Sequence, residues 1–327
     1  MGFGNTDNER NRARVREREN MPAQRVFTAL GVHPSMDPAG LRFRESRDSA
    51  GHPNSRAVAF IADVSKSMDE IPHRLATRTL PDFVERVLRI LPDAQFLFGA
   101  IGDAEDGDRA PWQIGQWESS DVSFDQWLTR IYLEGGGGPN GEESYDLALY
   151  FLARLSRIDC LEKRGQRGYA FLTGDERPRK RVSARTVNRL LGRHELDADI
   201  PIERIIAEAA DRFHLFFLIP DLRRAEECAS AWNALIGERA IRMESPDDSA
   251  LVAAELVNLT EGVTANLDDA VDRFIQNGVD RPTAQRVYRA LRPYAMTIGA
   301  LHMPRDVNGN REPPVARPSG IRRPVVS

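Results

Sequence analysis

Ala57-Val58-Ala59-Phe60-Ile61-Ala62-Asp63-Val64-Ser65-Lys66-Ser67-Met68 carries the strongest structural signal in this 327-residue chain. A short unbroken apolar run is what a strand buried on both faces requires, and such strands lie in the middle of parallel sheets covered by helices. The run ends at a carboxylate followed by hydroxyls at alternate positions. In an extended turn alternate side chains project to one side, so Asp63, Ser65 and Ser67 can direct three oxygens at one point. Open α/β sheets bind their ligands at this end of their strands. A helix is expected to start at Met68 or Asp69, and a simpler use of Ser65 or Ser67 is to cap it. Capping accounts for one serine and leaves Asp63 at an apolar strand end without a partner, which is costly.

Strand and helix signals alternate on both sides of this stretch, the pattern of a doubly wound, mostly parallel, Rossmann-like sheet. Residues 96–101, 168–172 and 213–219 read as further buried strands, and 241–243 as an edge strand. Residues 112–117, reached through the acidic turn 103–108, read as an antiparallel hairpin partner. Helices are expected over 71–91, with Pro81 breaking or restarting the first, and over 124–133, 144–158, 186–191, 202–211 and 223–236. Residues 249–300 carry helix signals and no strand signal, a C-terminal helical appendage. The organisation is therefore a largely disordered segment over 1–50, the α/β domain over 55–245, a helical extension over 246–302 and an Arg/Pro-rich disordered tail over 303–327.

Two later segments lie where the first motif needs them. Gly135-Gly136-Gly137-Gly138-Pro139-Asn140-Gly141-Glu142-Glu143-Ser144 is a glycine-rich loop ending in carboxylates and a hydroxyl at a helix start, and Thr173-Gly174-Asp175-Glu176 follows another strand. On these residues the chain resembles a von Willebrand factor type A domain over about residues 55–240. The metal-ion-dependent adhesion site of that family reads Asp-x-Ser-x-Ser, then a threonine in a glycine-flanked loop, then a late aspartate. The resemblance carries Asp63, Ser65, Ser67 and Asp175 over directly. No threonine stands in the middle loop; Glu143 or Ser144 takes its place, as in the subgroup that reads Gly-Gly-Gly-Asp-x-Pro-Glu before the helix. The resemblance implies a divalent cation held by oxygens, Mg²⁺ first, with Mn²⁺ or Ca²⁺ as alternatives. With Glu143 as ligand, three carboxylates exceed the charge of the ion, which implies tight retention and weak capture of acidic partners.

Composition narrows the function classes. A net charge of −4 argues against a surface built for nucleic acid or anionic membrane, leaving the Arg-rich ends as the only basic candidates. Cys160 and Cys228 suggest neither a disulfide framework nor a zinc motif, the six histidines do not cluster, and the glycine run lacks the lysine of a phosphate-binding loop. His214, at the start of an apolar strand, is expected to be buried with a hydrogen-bonded nitrogen. No apolar run is long enough to span a bilayer, so a cytoplasmic chain with no membrane partner is expected. The leading expectation is a non-enzymatic adaptor that docks a partner protein; the family resemblance adds an ATPase of the AAA+ class as one such partner. A metal-dependent hydrolase and a nucleic-acid-associated protein are the alternatives.

Overall fold

The computed structural model describes residues 27, 29–119, 126–127, 129–133 and 141–301. Six strands form the central sheet: β1 (Arg56–Asp63), β2 (Ala94–Ile101), β3 (Trp112–Ile114), β4 (Gly168–Thr173), β5 (Phe213–Ile219) and β6 (Ala240–Arg242). Their order is β6-β5-β4-β1-β2-β3, with every neighbouring pair parallel except β2 and β3. The chain thus winds outward in one direction through β2 and in the other through β4. The switch point lies between β1 and β4, where an open sheet leaves a crevice at its carboxyl edge.

Alternation along β1 divides the interior into two layers. Val58, Phe60 and Ala62 face one core, where α1 (Leu80–Leu88) covers them through Phe83, Val84 and Val87. Ala57, Ala59 and Ile61 face the other, covered by α2 (Tyr145–Tyr150), α3 (Ala184–Leu191), α4 (Ile202–Arg212) and α5 (Leu222–Ile236). The C-terminal helices α6 (Ser249–Glu261), α7 (Asp268–Gln276) and α8 (Arg281–Thr297) belong to the first core, with Leu256, Phe274 and Leu291 buried in it and α6 packed against α1. The expected appendage therefore completes the helical layer on one face of the sheet.

Local differences from the sequence reading have physical causes. The helix starting at Ile71 does not break at Pro81 but widens into a π turn over Leu75–Thr79 and continues as α1, which absorbs the missing proline donor. The helix expected over 144–158 is shorter. A second π turn ends it at Leu155, and Ser156–Ile158 pairs in parallel with Arg44–Ser46. That pairing also corrects the expectation of disorder for part of residues 1–50. Met36 is fully buried and its carbonyl accepts from Ile114 N–H at 2.9 Å, and Ser46 Oγ donates to Gln95 Oε1 at 2.8 Å. Residues 1–20, the glycines 135–138 and the tail 303–327 lie outside the described residues, as do residues 124, 125 and 128 of the helix expected over 124–133. Among the described residues no helix is long and apolar enough to cross a membrane.

Candidate functional site

The three segments picked from the sequence meet at the carboxyl edge of β1 and β4. Asp63 closes β1, in register with Ile101 of β2, while Ala62 lies opposite Thr173 at the end of β4. Burial on both sides leaves the Asp63 carboxylate with no solvent exposure. Its Oδ1 accepts from Ser65 N–H at 2.8 Å and its Oδ2 from the Tyr145 hydroxyl at 2.7 Å. The serines then chain outward. Ser65 Oγ and Ser67 Oγ are 3.0 Å apart, and Ser67 Oγ donates to Asp175 Oδ1 at 2.9 Å.

Ser65 does occupy the N-cap position of the short 3₁₀ turn Lys66–Met68, yet its side chain makes no capping bond. Its hydroxyl is committed to the crevice. The turn is followed by Asp69 at φ 50° and ψ −122°, a region that only glycine occupies without strain. Asp69→Gly is therefore expected to stabilise the fold by about 1 kcal/mol, read as a rise of about 2 °C in melting temperature. A lower melting temperature would mean that the Asp69 side chain contributes more than its backbone strain removes.

The middle loop separates the two candidates it offered. Ser144 Oγ accepts from Ala104 N–H at 3.0 Å and so serves the turn after β2. Glu143 pairs through its backbone with Pro178, in a two-residue parallel bridge between Glu142–Glu143 and Arg177–Pro178. This clamp fixes a side chain that is fully buried and whose two carboxylate oxygens have no hydrogen-bond partner among the described residues. Burial, and after it the charge of Asp63, pushes the Glu143 carboxyl up to about 10. Asp63 is raised to about 7, chiefly by burial, with the Ser65 hydrogen bond pulling the other way and the Asp175 charge adding to the rise.

Several neighbours were not visible as site residues in the sequence. Tyr145 is wholly buried, its ring edge-on to Phe217 and Trp232 at centroid distances of 5.0 and 5.4 Å. Burial and then the Asp63 charge hold its phenol well above the usual range, so it stays a donor to Asp63. Arg224, in the first turn of α5, donates from Nη1 to Asp175 Oδ2 and to the Ser67 carbonyl. Glu176 is raised to about 7 by burial and by Asp63 and Asp175, and its Oε2 lacks a partner, as does the buried Thr173 Oγ1. The acidic turn 103–108, whose composition suggests a solvated hairpin, is buried at its start. Asp103 is fully buried, Arg179 covers it as an ion pair, and its Oδ2 has no partner. His214, at the start of β5 and away from the crevice, differs as well. Burial lowers it to about 3 and its Nδ1 has no hydrogen bond.

Fold and crevice together define an α/β protein with a doubly wound sheet and an oxygen-rich acidic cleft at its switch point. Among the described residues no three His, Cys, Asp or Glu side chains form a group able to hold a metal on their own, so an ion here depends on the serine hydroxyls as well. No known family model and no curated protein matches the chain. Among solved structures it is similar to proximal thread matrix protein 1 from the mussel byssus, at 13% identity over 68% of this chain and 47% of that one, with a TM-score of 0.39. It is also similar to the pilus adhesin SpaC from Lactobacillus rhamnosus GG, at 10% identity over 54% of this chain and 25% of that one, with a TM-score of 0.34. The chain thus spans less than half the length of either.

Proposed function

We propose that the chain is a von Willebrand factor type A-like interaction module that holds a divalent cation, Mg²⁺ first, and docks a protein partner through the ion and its rim. Asp63, Ser65, Ser67, Glu143 and Asp175 would supply the oxygens, with Ser144 left to the turn it supports. Oxygen-only donors suit a hard cation. The observation that carries this reading is Glu143: a carboxylate with both oxygens buried and without a partner among the described residues, pressed by Asp63, is unfavourable unless a proton or a cation satisfies it. When bound, the ion would offer an open coordination position to an oxygen ligand from the partner. Tyr145 would keep Asp63 oriented, as the partners of metal ligands commonly do. An AAA+ ATPase is one partner compatible with such a module.

Calorimetric titration with Mn²⁺ is the direct test. The intact protein is expected to bind, and Asp63→Ala to lose at least about 100-fold in affinity, the scale on which loss of supporting groups already weakens metal sites. Pull-down in Mg²⁺ and in chelator then separates ion-dependent partners from the rest. Equal Mn²⁺ binding by Asp63→Ala would end the proposal.

A further inference from the structure

The rim already contains a positive charge, and its placement is unusual. Arg224 sits in the first turn of the fifteen-residue helix α5, the end where the helix dipole disfavours cations. Its direction is fixed by the residue that caps the helix. Asp221 Oδ1 accepts from Arg224 N–H and Asp221 Oδ2 from Arg224 Nε, both at 3.0 Å. So aimed, Nη1 reaches Asp175 Oδ2 and the Ser67 carbonyl, touching both of the segments that flank the crevice. Ser67 Oγ holds the other oxygen of Asp175. The side chain is only 23% exposed, so solvent screens its charge incompletely.

Resting on the cation reading above, we infer that Arg224 is a built-in counter-cation that sets the affinity of the crevice for metal by competing for Asp175. In the metal-free protein the guanidinium neutralises a carboxylate that is 5% exposed and would otherwise be left without a charge partner. A divalent ion entering the crevice meets a like charge already seated on one of its ligands. The guanidinium, shared between Asp175 and Asp221, offsets part of the negative charge that three carboxylates leave over a divalent ion. Affinity for the ion is thereby moderated, and the repulsion of an acidic partner expected from three carboxylates alone is reduced.

The test is Mn²⁺ calorimetry on the full chain, with melting temperatures in chelator and in saturating Mn²⁺, for the wild type, Arg224→Gln, Arg224→Lys and the control Asp63→Asn. Arg224→Gln is expected to bind Mn²⁺ about tenfold more tightly, the size of effect one nearby charge has on a buried ionisation. It is expected to melt lower than wild type in chelator, with the deficit closing in Mn²⁺. Arg224→Lys, which keeps the charge but loses the fork that reaches Asp221 and Asp175 together, should fall between wild type and Arg224→Gln in affinity. Should Arg224→Gln not fold, Arg224→Met retains the aliphatic stem and serves the same comparison. A residue that only props up the rim would give weaker Mn²⁺ binding in the neutral variants, and that result overturns the inference while leaving the cation site standing. Unchanged affinity in the neutral variants, or a lysine variant as tight as the glutamine one, overturns it too. If wild type and both neutral variants titrate like Asp63→Asn with no heat, the cation reading fails and this inference falls with it.

Discussion

Gly174→Ala is expected to lower the melting temperature by about 10 °C and to disturb the crevice in the same step. A Cβ built on Gly174 would lie 1.9 Å from the Tyr145 hydroxyl and 2.6 Å from the ring carbon bearing it, inside any distance real atoms tolerate. The tyrosine has no route of retreat, because Phe217 and Trp232 pack against its ring and its hydroxyl is bonded to Asp63. Either the end of β4 moves, giving up the bond from Gly174 N–H to the Leu218 carbonyl, or Tyr145 leaves Asp63. Overpacking of this kind costs about 1–3 kcal/mol, and a lost hydrogen bond to a charged group about 1.5–3. Together they come to about 4 kcal/mol, and in a domain of this size each kcal/mol is worth about 2–4 °C. Thermal denaturation by circular dichroism reads the shift directly. Tyr145→Phe placed on Gly174→Ala removes the closest overlapping atom, so the pair should be less destabilised than the sum of the single changes. Strict additivity would show that the two residues do not meet.

The same pair shows where the sequence was legible and where it was not. The strands β1, β4 and β5 were readable because burial on both faces forces continuous apolar runs, and each run's end marked a segment of the crevice. Asp63, Ser65 and Ser67 could be read from a strand end and the turn after it, and Asp175 from the family resemblance at another strand end. Tyr145 and Arg224 were not, since an ordinary tyrosine and an ordinary helix arginine acquire their roles only when crossovers bring them to the rim, 82 and 49 positions along the chain from their partners. Asp103 looked solvated within a run of acids, because composition does not show that Arg179 folds over it. Arg44–Ser46 and Ser156–Ile158 carried no apolar run, and three-residue strands that pair with each other leave almost no period to read. What sets Ser144 apart from Glu143 is one hydrogen bond, from Ala104 N–H to Ser144 Oγ, which no local pattern specifies.

Glu143→Gln should stabilise the metal-free protein at pH 8 and weaken its hold on Mn²⁺, two effects of opposite sign from one atom's change. Folding raises the Glu143 carboxyl from its ordinary 4.5 to about 10, with burial as the leading cause. A carboxyl raised in the folded state contributes its stability fully below the unfolded value and loses it as pH rises through the folded one. At pH 8 the unfolded chain carries this group ionised and the folded, metal-free chain carries it protonated, so folding must take up a proton against the solution. Glutamine removes that requirement, although its amide also lacks a buried partner, which returns part of the gain. The balance is on the order of 3 kcal/mol, or about 8 °C, in chelator at pH 8, and it should vanish about one pH unit below the ordinary value of 4.5, where both states of the wild type are protonated. Saturating Mn²⁺ reverses the order: the ion stabilises the state that binds it, and the wild type offers a full charge where the variant offers a neutral carbonyl. Melting curves at the two pH values, each with chelator and with Mn²⁺, resolve all four cases. A variant that melts no higher than wild type at pH 8 in chelator would show that the Glu143 carboxylate is already satisfied without a cation, and the strongest support for metal at this crevice would be gone.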